Sequence, residues 1–368
     1  MRFIRPHLLA LALAAPLAAL SGVTAAAQSE PRVYTLATAN AGGTYYPVGV
    51  ALALLTKINL ASQFGIDMEA VVSGGSVDNI SMMEAGRADF AFLQAVGMAA
   101  GAVAEVSAEA EETSGETTTE AATEATSGAA NAVQALTAGE DLRAVTMLWP
   151  DVAHFLLRAD LAEEGTLADL QNLTGLGFSL GPAGSSTEQI NALIFEALEL
   201  PYQEWNPVNE TYRDSVESLP EGRIAGVNIE SGLGVGAVSN LMTAMGDSVV
   251  LLSVSDAELA RISEVLRSAA TVSIPGGTYA GMEEAVQSIA VPNFLAVHAD
   301  VPEEDVYRIT RVMFENLEYL CEVHQAACLL SLSMAQDGLP VPLHPGAARY
   351  FEEMADESDL IVEGDDDS

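Results

Sequence analysis

Residues 33–94 read VYTLATANAGGTYYPVGVALALLTKINLASQFGIDMEAVVSGGSVDNISMMEAGRADFAFLQ, and this stretch decides the fold. Residues 33–39 are rich in β-formers. Pro47 then opens a helix carrying Val48, Ala51, Leu52, Leu55 and Ile58 on one face. A second strand is expected over 68–73. Ser76 is placed to cap a helix bearing Val77, Ile80 and Met83, and Gly86 to end it. Residues 89–93 follow as a buried strand. Such a β-α-β-α-β rhythm predicts a parallel sheet with right-handed crossovers.

Downstream the composition breaks. Residues 104–130 are Ala, Glu, Thr, Ser and Gly, with no basic side chain between Arg87 and Arg143, too little apolar surface to order tightly. They read as a low-complexity surface insertion. Strands are expected at 142–149 and 154–158, separated by a Pro-Asp turn. A second α/β block follows, with strands at 177–180, 224–229 and 249–254 and helices at 188–198, 235–245 and 256–266. An apolar strand over 289–297 and a helix from Pro302, with Val306, Ile309, Val312, Met313, Leu317 and Leu320 at helical spacing, close the chain. The acidic tail, 352–367, is expected to be solvated.

Upstream, Arg2, Arg5 and His7 precede an apolar run over 8–20, and Ala25-x-Ala27 fits signal peptidase, with a mature start near Gln28. The run is too short to span a bilayer as a stable helix, so export is expected. The net charge is −38, from 52 acidic and 14 basic side chains. Nucleic acid is excluded as a partner, because counterion release needs a basic face. The acidity is read as a solvated surface screened by salt or as a binding preference for cations.

Four glycine- and hydroxyl-rich turns sit between a strand and a helix start: Gly42-Gly43-Thr44-Tyr45-Tyr46-Pro47, Gly74-Gly75-Ser76, Gly184-Ser185-Ser186-Thr187 and Ser231-Gly232-x-Gly234. Free N–H groups and the helix dipole make such turns anion sites. Each could also be a plain capped loop; Ser185 and Glu188 fit a capping box. Gly177-Phe178-Ser179-Leu180-Gly181 matches a nucleophile elbow, but Ser179 lies within an apolar strand and the turn comes after it. No enzyme is expected. Cys321-x2-His324-x3-Cys328 could face a metal but lacks a fourth ligand. The two cysteines would otherwise pair as a disulfide, which requires the helix to break between them. Gly232-x-Gly234-x-Gly236 lacks the dinucleotide spacing, and His154, His298 and His344 form no catalytic arrangement. No cofactor and no metal are expected.

The run from Tyr34 to Gly49, Gly74-Gly-Ser-Val-Asp-Asn79 and Ala88-Asp-Phe-Ala-Phe-Leu-Gln94 resemble the solute receptors of the TAXI family, the TRAP-associated extracytoplasmic immunogenic proteins. Ile274-Pro-Gly-Gly-Thr-Tyr279, Val291-Pro-Asn-Phe-Leu295 and Leu343-His-Pro-Gly-Ala-Ala-Arg-Tyr350 agree in order. The resemblance implies an α/β, type II periplasmic-binding-protein-like fold: two lobes of doubly wound sheets joined by crossover strands, with a ligand cleft between them. Lobe 1 is expected over 28–157 and lobe 2 over 158–278, with a return to lobe 1 over 279–368; residues 1–27 are the signal peptide. The implied function is capture of a small anionic solute, a carboxylate or glutamate-like amino acid, in the periplasm. The protein would act as a monomer and deliver the solute to TRAP membrane permease subunits. A ligand-sensing adaptor for a signalling receptor is the alternative. The ligand-facing residues implied are Gly43, Thr44, Tyr45, Ser76, Asn79, Gln94, Ser185 and Thr187.

Overall fold

The computed structural model describes residues 31–95 and 141–364. The expected signal peptide (1–27) and the expected 104–130 insertion lie outside the described residues. Strands β1 (Arg32–Ala37), β2 (Ile66–Val71) and β3 (Phe90–Gln94) alternate with helices α1 (Tyr45–Thr56) and α2 (Ser76–Glu84). Strand β1 pairs in parallel with β2 on one side and β3 on the other, the expected unit. Every residue of β3 is buried, as a central strand covered on both faces requires. Phe90 and Phe92 join Leu52 of α1 and Trp149 in one core, while Ala91 and Leu93 pack with Ile80 and Met83 of α2 on the other face. The helical run Tyr45–Phe64 is long and apolar enough to cross a membrane by length and composition. In this fold its Val48, Leu52 and Leu55 are core residues instead.

Strand β4 (Leu142–Met147) belongs to the same sheet, but β5 (Asp151–Arg158) does not. The Pro-Asp segment expected as a turn is a crossover to a second sheet. Pro150 has no N–H with which to continue a ladder, and Leu148 N donates to Asn293 O at 2.8 Å. The second sheet adds β6 (Gly177–Ser179), β7 (Asn206–Val208), β8 (Gly226–Ser231), β9 (Val249–Leu251), β10 (Ala270–Ile274) and β11 (Val286–Val291). Its order is β10-β11-β5-β8-β6-β7, with β9 paired to β5.

Pro292 then carries the chain back to β12 (Asn293–His298), which inserts antiparallel between β3 and β4. The first sheet is therefore β2-β1-β3-β12-β4. The single strand expected over 289–297 is two strands in different sheets, split at the proline. By their pairing β5 and β11 lie in lobe 2, whereas boundaries at 157/158 and 278/279 put both in lobe 1. This is the two-lobed, doubly wound α/β architecture that the resemblance implies.

Lobe 2 is covered by α3 (Ser186–Ala197), α4 (Tyr212–Ser218), α5 (Gly236–Met245) and α6 (Asp256–Val265), and lobe 1 by α7 (Glu303–Glu315), α8 (Leu317–Val323) and α9 (Pro345–Gly364). Helix α9 continues into the acidic tail, where Glu352, Glu353 and Asp356 are exposed. Cys321 and Cys328 form a disulfide, their Cα atoms 4.4 Å apart. The helix break this needs occurs at His324, which is extended (φ −153°, ψ 130°). The bond takes up both thiols that a metal would have used.

The two crossovers are tied together by Asn293. Its Nδ2 donates to Trp149 O at 2.9 Å, and its Oδ1 accepts from the Tyr45 hydroxyl at 2.7 Å.

Candidate functional site

The cleft opens at the C-terminal ends of β1, β3, β6 and β8, where open α/β sheets bind ligands. The lobes meet across it. Thr44 N donates to Ser231 Oγ at 3.1 Å, and the two hydroxyls share a hydrogen bond of 2.8 Å. Gly232 N donates to Thr44 Oγ1 at 3.1 Å. On the same side His324 Nε2 lies 3.4 Å from that hydroxyl. Between the lobes remains a small, partly open cavity of about 30 Å³.

The structure brings most of the sequence-predicted residues to this cavity. Gly43, Thr44, Tyr45, Gln94, Ser185 and Thr187 line it. Gly75, at φ 106°, stands before α2, and a Cβ there would lie 3.9 Å from Ser186 Oγ of the other lobe. The starts of α2 and α3 thus face each other across the cleft, each with first-turn N–H groups that no helical carbonyl satisfies. Ser185 is the N-cap of α3 and accepts from Glu188 N at 3.2 Å. The Glu188 carboxylate takes Gly184 N at 2.6 Å, so the capping box is only half formed. Thr187 Oγ1 and the Tyr212 hydroxyl are 2.8 Å apart.

Two expected residues play a different part. Ser76 is the first residue of α2 and does not cap it; its Oγ accepts from Gln94 N at 2.9 Å. Asn79 is fully buried, and its amide donates to Thr38 O at 2.7 Å and Phe92 O at 2.8 Å while its Oδ1 accepts from Ser73 Oγ. It splices the ends of β1 and β3 and does not line the cavity.

Two carboxyl groups on the cavity wall were missed by sequence reasoning: Asp151 at the start of β5 and Glu230 near the end of β8. They are 5% and 4% exposed. Gln94 Nε2 donates to Asp151 Oδ2 at 3.2 Å. Asp151 Oδ1, both Glu230 oxygens and Gln94 Oε1 have no hydrogen-bond partner among the described residues. Burial raises the Asp151 pKa to about 7, with Asn293, Tyr45, Gln94 and Trp149 working against the rise. Burial, then the charge of Asp151, drives Glu230 well above the carboxylate range, and Gln94 opposes this. Burial and the same acids keep the phenols of Tyr45 and Tyr212 protonated. The sequence signal was a glutamate closing the apolar run Val227-Asn-Ile-Glu230, since Glu is rarely buried without a partner.

A family model described as NMT1-like matches residues 36–113 and 96–354, well over half of the sequence. The chain belongs to the NMT1-like family. Among solved structures, this NMT1-like protein is similar to one described as a periplasmic transporter (11% identity, 89% of this chain and 94% of the other, TM-score 0.48). It is also similar to MatC from Rhodopseudomonas palustris with bound malate (13%, 89% and 98%, 0.46). A third is the alkanesulfonate-binding protein SsuA from Xanthomonas axonopodis pv. citri bound to MOPS (12%, 89% and 92%, 0.41).

The elbow-like serine of this NMT1-like chain is a strand residue. Ser179 is fully buried in β6 and accepts from Ser215 Oγ at 2.8 Å. His154 is bound instead to Ile229 O at 2.9 Å and the Tyr279 hydroxyl at 2.8 Å. Burial lowers its pKa to about 4, so it stays neutral in the lobe 2 core.

Proposed function

We propose that this protein is an exported solute-binding protein. It captures a small carboxylate or amino acid, glutamate-like in size, between its lobes in the periplasm. As the TAXI resemblance implies, it acts as a monomer and hands the solute to a TRAP-type, ion-coupled membrane transporter. The observation that carries this reading is the pairing of a hinge at Asn293 with the Thr44–Ser231 contact across a polar cavity. A ligand that bridges the lobes stabilises the closed form by the contacts made only there. Its carboxylate would meet the N-termini of α2 and α3, where N–H groups and dipoles favour negative charge. Calorimetric titration and small-angle scattering over a panel of amino acids and carboxylates test this. Saturable heat with a reduced radius of gyration is expected; absence of both for every compound would refute it.

A further inference from the structure

We infer that the cleft selects a solute bearing a protonated nitrogen, held by Asp151 and Glu230. This rests on the solute-binding reading and narrows its substrate class. The cavity wall carries two buried carboxyl groups, and among the described residues no lysine, arginine or histidine lines it. Four buried side-chain oxygens on that wall lack a partner among the described residues. Gln94 Oε1, Asp151 Oδ1, Glu230 Oε1 and Glu230 Oε2 are all buried acceptors without a donor among the described residues. Gln94 is 4% exposed, and its amide nitrogen is already engaged by Asp151. One amide N–H is thus taken by Asp151, and the amide oxygen is left without a donor.

Buried acceptors of this sort need N–H or O–H donors, and a buried charge needs an opposite one. An ammonium or guanidinium group supplies both at once, in charge-assisted hydrogen bonds. A plain carboxylate brings no positive charge against which the two acids could ionise. The facing starts of α2 and α3 remain as the place for a ligand's carboxylate. The site thus fits a solute with an amine at the Asp151–Glu230 end, with or without a carboxylate at the other. An inorganic dication fits poorly. Calcium takes about six to eight oxygen ligands, and only four unpartnered buried side-chain oxygens stand on the wall; no group of three or more His, Cys, Asp or Glu is arranged for a metal among the described residues.

The test is calorimetry and thermal melting of the exported full chain with matched probes. Alanine, glutamine, ornithine and putrescine carry an amine; acetate, succinate and malate do not; calcium chloride is the inorganic arm. Binding is expected only from amine-bearing probes, and Glu230→Gln or Asp151→Asn is expected to weaken it by about 30-fold or more. The same variants are expected to melt above the ligand-free wild type, because each removes a buried acid without a partner. Succinate or malate binding while every amine fails would overturn the inference and leave solute binding standing. Calcium chloride alone raising the melting temperature would overturn it, as would undiminished binding by Glu230→Gln. If no probe of either kind binds and both variants melt below the wild type, the acids are structural, and this inference and the solute-binding reading fall together. If no probe binds but both melt higher, the acids are held for a ligand outside the panel, which supports the inference.

Discussion

Replacing Gly232 with alanine tests whether closure governs binding. The backbone there is not in the left-handed region, so alanine is conformationally admissible. A Cβ at this position would run into Ala326 Cβ and lie 3.1 Å from Thr44 Oγ1. Ala326 and Thr44 belong to lobe 1 and Gly232 to lobe 2, so the collision exists only while the lobes are shut. Overpacking by one methyl costs about 1–3 kcal/mol, and displacing the Gly232 N–Thr44 bond costs about 1 kcal/mol more. A penalty of about 2–4 kcal/mol confined to the closed form weakens ligand affinity about 30- to 900-fold. The melting temperature of the ligand-free, open protein should stay near that of the wild type. Calorimetry gives the affinity for any solute the wild type closes on, and small-angle scattering reads the compaction. Adding Ala326→Gly should restore room, and much of the binding, as a coupled pair does. Wild-type affinity and compaction in Gly232→Ala would refute the reasoning; so would a double variant no better than the single.

Two further predictions concern groups on either side of that contact. Asp151 titrates at about 7 in the fold against about 3.9 unfolded, so its contribution to stability is full below about pH 4 and is lost as pH rises through 7. The span is on the order of 4 kcal/mol at most. Wild type and Asp151→Asn should therefore melt together near pH 4, with the variant higher near pH 8; the reverse order would refute the assignment. The groups facing Asp151 are Tyr45, Gln94, Trp149, Asn293 and Glu230, and none of them brings a compensating positive charge. The Cys321–Cys328 bond closes a short loop whose loss should cost about 2.5 kcal/mol on the chain-entropy model. Because Gln325 and Ala326 of that loop abut Gly234 and Gly232, reduction should lower affinity as well as melting temperature. Unchanged affinity in dithiothreitol would separate the loop from closure.

Local pattern carried the first half of lobe 1. Apolar spacing over 33–94 is strong enough to fix strand and helix identity; the element ends moved, and Ile58, expected on the buried face of α1, is exposed beyond its end. The lobe assignment of β5 and β11 was not legible, because Pro150 and Pro292 look alike whether a chain turns back or crosses over; long-range pairing decides. Hydroxyl-rich turns were visible because Gly and Ser announce themselves, and they led to Thr44, Ser185 and Thr187. The same search for anion donors passed over Asp151 and Glu230, whose meaning lies in what does not surround them. Asn79 looked like a ligand residue because an amide near a glycine turn is ambiguous between holding a solute and holding a carbonyl. His324 interrupts α8 by adopting extended torsions that no residue type there demands, so the disulfide was permitted by sequence but not required.

The Asn293 amide is also a statement about mechanics. Two strands side by side resist shear and twist but bend readily about the line that joins them, and the side-chain bond to Trp149 O makes the pair act as one plate. A motion of the lobes about this plate would follow a single angular coordinate. Tyr45 binds Asn293 Oδ1 from the helix that starts next to Thr44, so axle and catch share one turn of backbone. Whatever tilts α1 by a few degrees changes the torque on the hinge and the alignment of the latch together.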